Sequence, residues 1–197
     1  NKTSNEKSLK LVLSKLKETL DYKNLKLLIS TADNSGFSPL MCAALSKSVN
    51  IFRTFWEFIT NNLSRDDQIQ LLLAADYRNN TVLHHSAKND EIDVLIFVKD
   101  IYKELLSEEV IRNIITKNKN YGDGYLFITD IIDSSSLEAC NEFADYLEDL
   151  FKGCKHALIS LLGKTELNGE LMLKTMLSND NYLEVKVFLD LYRRIFL

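Results

Sequence analysis

Proline occurs once in this 197-residue chain and glycine six times. So few helix breakers leave helices free to run between short turns, and strand content should be near zero. Three cysteines, Cys42, Cys140 and Cys154, are odd in number and scattered, which favours reduced thiols in an intracellular setting over a disulfide framework. No Cys-x-x-Cys pair exists, and His156, two residues from Cys154, has no second pair at ligand spacing, so no metal is expected. No apolar run approaches the roughly 18 residues that a membrane span requires. The charge is not one-sided either. A net charge of −4 argues against a phosphate-tracking surface, which demands clustered Lys and Arg, although it leaves room for local basic patches; no nucleic-acid partner is expected.

What is present is a large apolar fraction, 46%, enough for a continuous core. The polar residues lean one way: 18 Lys against 6 Arg, with 17 Asn and 15 Ile. AT-rich codons produce that bias, as in many intracellular bacterial symbionts, some parasites and poxviruses. The start, residues 1–7, is polar, lacks Met and has no signal-peptide apolar region. It reads as a disordered leader at the cut end of a longer protein, and the far end, Tyr192 to Leu197, stops inside an amphipathic pattern without a cap.

The chain repeats itself. Asp76-Tyr77-Arg78-Asn79-Asn80-Thr81-Val82-Leu83-His84-His85-Ser86-Ala87 has a counterpart 43 residues earlier, Asp33-Asn34-Ser35-Gly36-Phe37-Ser38-Pro39-Leu40-Met41-Cys42-Ala43-Ala44. In each, an acidic residue opens a tight turn, Gly36 or Asn79 stands where positive φ is tolerated, and Ser38 or Thr81 can cap a short helix of small residues. These two segments resemble ankyrin repeats, whose Asp-x-x-Gly-x-Thr-Pro-Leu-His-x-Ala-Ala signature they carry in complementary halves. Ser38-Pro39-Leu40 and Ala43-Ala44 match one half; Thr81, Leu83-His84 and Ala87 match the other. A third copy keeps the step of 43, placing Gly122 with Gly36 and Leu126 with Leu40, although Gly124 replaces the capping hydroxyl and Asp130 replaces Ala87. A fourth needs a step of 46 and aligns Asn168 with Asn79.

The expected architecture is all-α, an ankyrin-like α-solenoid of about four repeats. Its divisions are a partial leading repeat over 8–32 and repeats over 33–75, 76–118, 119–164 and 165–197, in a single domain. Within the first full repeat the pattern predicts an inner helix over 38–45, an outer helix over 50–62 carrying Phe55, Trp56, Phe58 and Ile59 as core, and a third helix capped by Ser64 with Asp67 at its third position. The second repeat follows the same plan, with an outer helix over 91–106 whose Val94 to Val98 run should be covered all round. The third helix is unusual, because ordinary ankyrin repeats take about 33 residues and two helices. Period alone favours the runner-up, an armadillo- or HEAT-like solenoid with units of about 40 to 47 residues. The turn motif favours ankyrin.

Candidate chemistry is thin. His84 occupies the position of the motif His, which the resemblance assigns to hydrogen bonding within and between repeats. Asp130 and Asp133 beside Ser134 to Ser136 read as a helix start. Gly122-Asp123-Gly124 lacks the further Gly and the Lys of a phosphate loop. Asp145, Glu148 and Asp149 form a solvated face. No nucleophile, base and orienting group come together, so no enzyme and no cofactor are expected.

In an ankyrin-like array the turn tips and inner helices form the binding surface. The candidate protein-binding residues are therefore Phe37, Tyr77, Arg78, Asn80, Tyr121, Asp123 and Tyr125, with the alternative that the aromatic residues pack on the adjacent tip. The expected function is a scaffold that binds a partner protein, as the targeting region of a larger intracellular protein. The composition and architecture together resemble the ankyrin-bearing effectors that symbiotic or parasitic bacteria direct at host proteins. The alternative function is structural: self-association, or packing on a neighbouring domain through apolar ends of the array.

Overall fold

Several helix starts in this chain are fixed by side chains before any packing is considered. The computed structural model describes residues 2–89, 92–116 and 137–154, with 156, 157, 185, 186, 189, 190 and 193 beyond them. The described residues form α1 (Lys2–Thr19), α2 (Tyr22–Ser30), α3 (Pro39–Ala44), α4 (Val49–Asn62), α5 (Arg65–Leu73), α6 (Val82–Ala87), α7 (Ile92–Leu105), α8 (Glu108–Thr116) and α9 (Leu137–Leu150). No strand occurs among them, so the chain is all-α over that span.

The caps recur with the sequence. Asp21, Ser64 and Ser107 stand 43 residues apart, each just before a helix. Asp21 Oδ1 accepts from the Asn24 amide at 2.8 Å, Ser64 Oγ from Asp67 at 3.3 Å and Ser107 Oγ from Val110 at 3.4 Å, each satisfying an amide that the first turn leaves free. They open α2, α5 and α8, which begin at 22, 65 and 108. The pairs α3/α6 and α4/α7 also begin 43 residues apart. α1 starts at Lys2, within the stretch expected to be a disordered leader: nothing in 2–7 breaks a helix, and Lys10 pairs with Glu6 one turn back at 2.7 Å.

Two compact units divide the chain at Leu106 and Ser107, inside the second expected repeat. In the first, α3 packs on α6 and α4 on α7, while α3 also packs on α4 and α6 on α7. Helices that begin 43 residues apart thus pack on one another. Ala44 and Ala87, both fully buried, leave room for the close α3–α6 approach. α1 lies on α4, α2 touches α3, and α5 sits against α4 and α6. The core of this unit holds Leu40, Met41, Phe52, Ile59, Leu72, Leu83, Leu95 and Tyr102, each at most 1% exposed.

The aromatic stripe of α4 is buried, Trp56 included. The Val94 to Val98 run is covered less completely than its composition predicts. Val94, Leu95 and Val98 are buried, but Ile96 and Phe97 are half-buried. Phe97 meets the edge of Phe52 at 6.0 Å, and the Arg53 guanidinium lies 4.9 Å from its ring centre, so a cation covers part of the ring.

In the second unit α8 buries Ile111, Ile114 and Ile115, and α9 buries Phe143, Tyr146, Leu147 and Leu150. Arg112 of α8 donates to the Leu150 carbonyl at 2.8 Å, a basic group on a carbonyl that α9 cannot satisfy from within. The third-repeat turn with Tyr121, Asp123 and Tyr125, the Asp130 to Ser136 stretch and nearly all of the expected fourth repeat lie outside the described residues. Among the described residues no helix is long and apolar enough to cross a membrane.

Candidate functional site

Each of the two described turn tips is organised by one carboxylate. Asp33 Oδ1 accepts from the Ser35 and Phe37 amides at 2.8 and 2.9 Å. Asp76 Oδ1 accepts from Arg78 and Asn80, both at 2.8 Å. The backbone closes each turn in the same way: Gly36 donates to the Asp33 carbonyl at 3.0 Å, and Asn79 to that of Asp76 at 2.9 Å. The reversal needs positive φ at the fourth residue, met by Gly36 at 82° and Asn79 at 61°, the residue types that tolerate it.

The tips touch. The Tyr77 amide donates to the Ser35 carbonyl at 3.2 Å. A Cβ placed on Gly36 would stand 2.8 Å from the Tyr77 nitrogen and 3.0 Å from the Asp76 Cα. Glycine is therefore required at 36 twice over, for its φ and for this approach.

Below the tips the two histidines do different work. His84, 2% exposed, turns Nδ1 to the Thr81 amide at 3.1 Å and stands 3.0 Å from the Thr81 hydroxyl. Nδ1 thus satisfies a backbone N–H of the first turn of α6. In α3 the Met41 sulfur occupies the same place, accepting from Ser38 at 3.5 Å. His85, 3% exposed, meets Asp76 Oδ2 through Nε2 at 3.0 Å, and its ring centre lies 4.6 Å from that of Phe37. It thereby joins the second turn, its own helix and the first tip. A His–Asp pair also orients a general base in some enzymes. Here the same carboxylate holds two turn amides and the Asn80 side chain, at 3.1 Å, which makes the pair a brace for the turn.

The expected binding residues separate accordingly. Tyr77 is 67% exposed and Arg78 is exposed. Phe37 is half-buried against His85, and Asn80 is 2% exposed, inside the turn. So the tip aromatics divide: Phe37 packs, and Tyr77 projects. A cavity of about 470 Å³ opens between the tips, lined by Asn34, Ser35 and Phe37 on one side and by Asp76, Tyr77, Arg78 and Asn80 on the other. His85, Lys88 and Leu45 complete it.

Three further polar residues tie helices together through partners that the sequence does not announce. Asn89, at the end of α6, donates to the Ala44 and Ser46 carbonyls at 2.8 and 2.7 Å. Tyr102, fully buried, donates to the Leu72 carbonyl at 2.6 Å and receives the Leu83 amide at 3.4 Å. Burial pushes its phenol far above the ordinary range, so it stays a neutral donor. Asp67 accepts from the Ser64 hydroxyl at 2.8 Å, from the Tyr22 hydroxyl, and pairs with Lys26 at 2.5 Å. The 43-residue recurrence points to Asn89 and Asp67 only as a break and a cap; their partners lie on other helices.

Cys42 is exposed on α3, and Cys154 is exposed after α9. Among the described residues no group of three or more His, Cys, Asp and Glu side chains is placed to hold a metal ion. No protein-family model matches the chain, and no curated protein matches it.

Proposed function

We propose that this chain is a protein-binding scaffold of ankyrin-like repeats, each lengthened by a third helix, which holds a partner protein across its turn tips and inner helices. The observation that carries the reading is Tyr77. It is a large aromatic side chain, 67% exposed, on a turn whose backbone is fixed by Asp76 and bonded to the tip before it. A rigid, exposed Tyr next to an exposed Arg offers contact area at low ordering cost, and both types are enriched at binding hot spots. The 43-residue register of caps and helices, and the packing on one another of helices that begin 43 residues apart, support the repeat reading. As the targeting region of a larger intracellular protein, a host-directed effector on the composition argument, such an array selects a target on which other domains act.

The test is comparative capture from host-cell lysate with wild type and a Tyr77→Ala/Arg78→Ala variant of unchanged helicity. A protein bound by the wild type should be retained at least about tenfold less by the variant, a loss of about 1.4 kcal/mol. Equal capture would overturn the tip assignment.

A second reading is favoured by the other end of the unit. Leu11 at 74%, Val12 at 55%, Leu27 at 62% and Leu28 at 46% are exposed on α1 and α2, apolar surface of the kind that interaction sites carry. This supports self-association, or packing on a neighbouring domain. Light scattering over a wide concentration range decides it: a concentration-dependent dimer that Leu11→Glu and Leu27→Glu abolish favours this reading, and a monomer throughout removes the self-association form.

A further inference from the structure

Some of the apolar residues exposed on α1 and α2 have buried counterparts further along the chain. α1, α4 and α7 end at Thr19, Asn62 and Leu105, and α2 and α5 run over 22–30 and 65–73, so the register of 43 holds residue by residue. In that register Val12 of α1 stands with Phe55 of α4 and Val98 of α7, and Leu28 of α2 stands with Leu71 of α5. Phe55, Val98 and Leu71 are buried; Val12 and Leu28 are exposed. All five side chains are apolar, so the difference lies in what covers them. Leu27 is a different case, because its counterpart, Gln70, is itself exposed.

Contacts inside the first compact unit show which neighbour such a face takes. α7 meets α4 through Phe97, whose ring centre lies 6.0 Å from that of Phe52 and 4.9 Å from the Arg53 guanidinium. Two steps earlier the place of Phe97 is held by Leu11, which is exposed. One step earlier it is held by Thr54, half-buried on α4, the helix that packs on α1. The short helices behave alike. α5 meets α2 through Asp67, which receives Tyr22 and Lys26, and Leu71 lies one turn on from Asp67, on the same face. Their counterparts on α2 are Asn24 and Leu28, both exposed. The faces by which α7 and α5 meet the helix one step before them are therefore, on α1 and α2, turned to solvent and largely apolar.

We infer that this face of α1 and α2 is a stacking surface whose occupant is a further 43-residue segment of the same plan, placed before α1 in the same polypeptide. One of its helices lies on α1 as α4 lies on α7, and another lies on α2 as α2 lies on α5. An aromatic or aliphatic side chain at the place of Phe52 meets Leu11, and a polar one at the place of Tyr22 meets Asn24. Leu27 stays outside the contact, as Gln70 does. A second copy of the chain pressing its own leucines against this surface would cover Leu27 as well, which the register does not call for. The inference rests on the repeat reading, and it gives the apolar surface of the second reading a specific occupant.

The experiment lengthens the full chain by one step, with a copy of residues 44–91 joined ahead of residue 6; a second form, with a copy of residues 1–48 at the same place, guards against a poor junction. Each sets a copied helix before α1 in register. At least one form should melt in a single transition at least about 4 °C above the wild type, because a stacked neighbour adds an interface. In that form Leu11→Glu and Leu28→Glu on the original helices should each lower the melting temperature by at least about 4 °C, against at most about 2 °C in the wild type, where both side chains are exposed. Leu27→Glu should cost no more in the lengthened chain than in the wild type. Separate transitions or no gain in both forms overturns the stacking assignment, and so do Leu11→Glu and Leu28→Glu variants that lose no more than they do in the wild type. Light scattering on the wild type keeps the two readings apart. A dimer that Leu27→Glu disrupts along with Leu11→Glu, beside lengthened forms that gain nothing, leaves self-association standing without this occupant; a monomer beside the same forms removes both.

Discussion

At Gly36 two demands meet in one residue, a φ of 82° and a neighbouring backbone 2.8 Å from any added Cβ. Gly36→Ala should destabilise the chain by about 1–3 kcal/mol, read from the urea midpoint, because the left-handed backbone is strained and the Tyr77 backbone cannot yield without breaking its bond to Ser35. The requirement for glycine was legible in the turn motif; the contact with the next tip was not, since it depends on how turns 43 residues apart come together. Tyr102 is the converse case. In the sequence it is one more aromatic on an outer helix. In the fold its hydroxyl supplies the Leu72 carbonyl at the end of α5 and takes the Leu83 amide at the start of α6. Tyr102→Phe keeps the ring and leaves those groups unpaired, at an expected cost of about 1–3 kcal/mol in the same denaturation experiment.

Among the elements, α2 and α5 show how one helix start can hold another. Ser64 and Asp67 are a local N-terminal device, as the sequence predicts, and Asp67 also receives Lys26 and Tyr22 from α2. The Lys26 hydrogen bond, with those from Tyr22 and Ser64, holds the Asp67 carboxyl below the ordinary carboxylate range, at about 2. A group whose folded pKa is depressed gives stability that is present above its unfolded pKa and is lost as pH falls through the folded one. Thermal stability should therefore decline between about pH 4 and pH 2 in part through this residue. The check is Asp67→Asn, whose melting temperature should be lower than wild type at pH 7 and should fall less steeply over that window. Parallel curves would remove Asp67 from the acid response. The short helices α3 and α6 were equally readable, since Ser38 with Pro39, and Thr81, mark where they begin.

Over the whole molecule, the first compact unit contains its own core, from Leu13 of α1 to Tyr102 of α7. A fragment of residues 1–106 should fold alone and melt cooperatively, with helical ellipticity in proportion to its length; a broad, non-cooperative melt would show that its core needs the residues beyond. The sequence by itself determined the all-α class of the described residues, because Gly36, Pro39 and Gly153 fall at helix boundaries there and apolar residues recur at helical spacing between such breaks. It also determined the two turns and most helix starts, since these are settled within a few residues by caps and positive-φ positions. Tertiary structure alone decided which of the marked residues face outward. Phe37 and Tyr77 occupy similar tips, but Phe37 has His85 to pack against, and Tyr77 is left 67% exposed. It also decided the cavity, the inward turn of Asp76 and the bracing by Asn89 and Tyr102. Each of these joins groups on separate helices or turns, and the direction of a side chain toward a distant partner is a property of packing that no local pattern encodes.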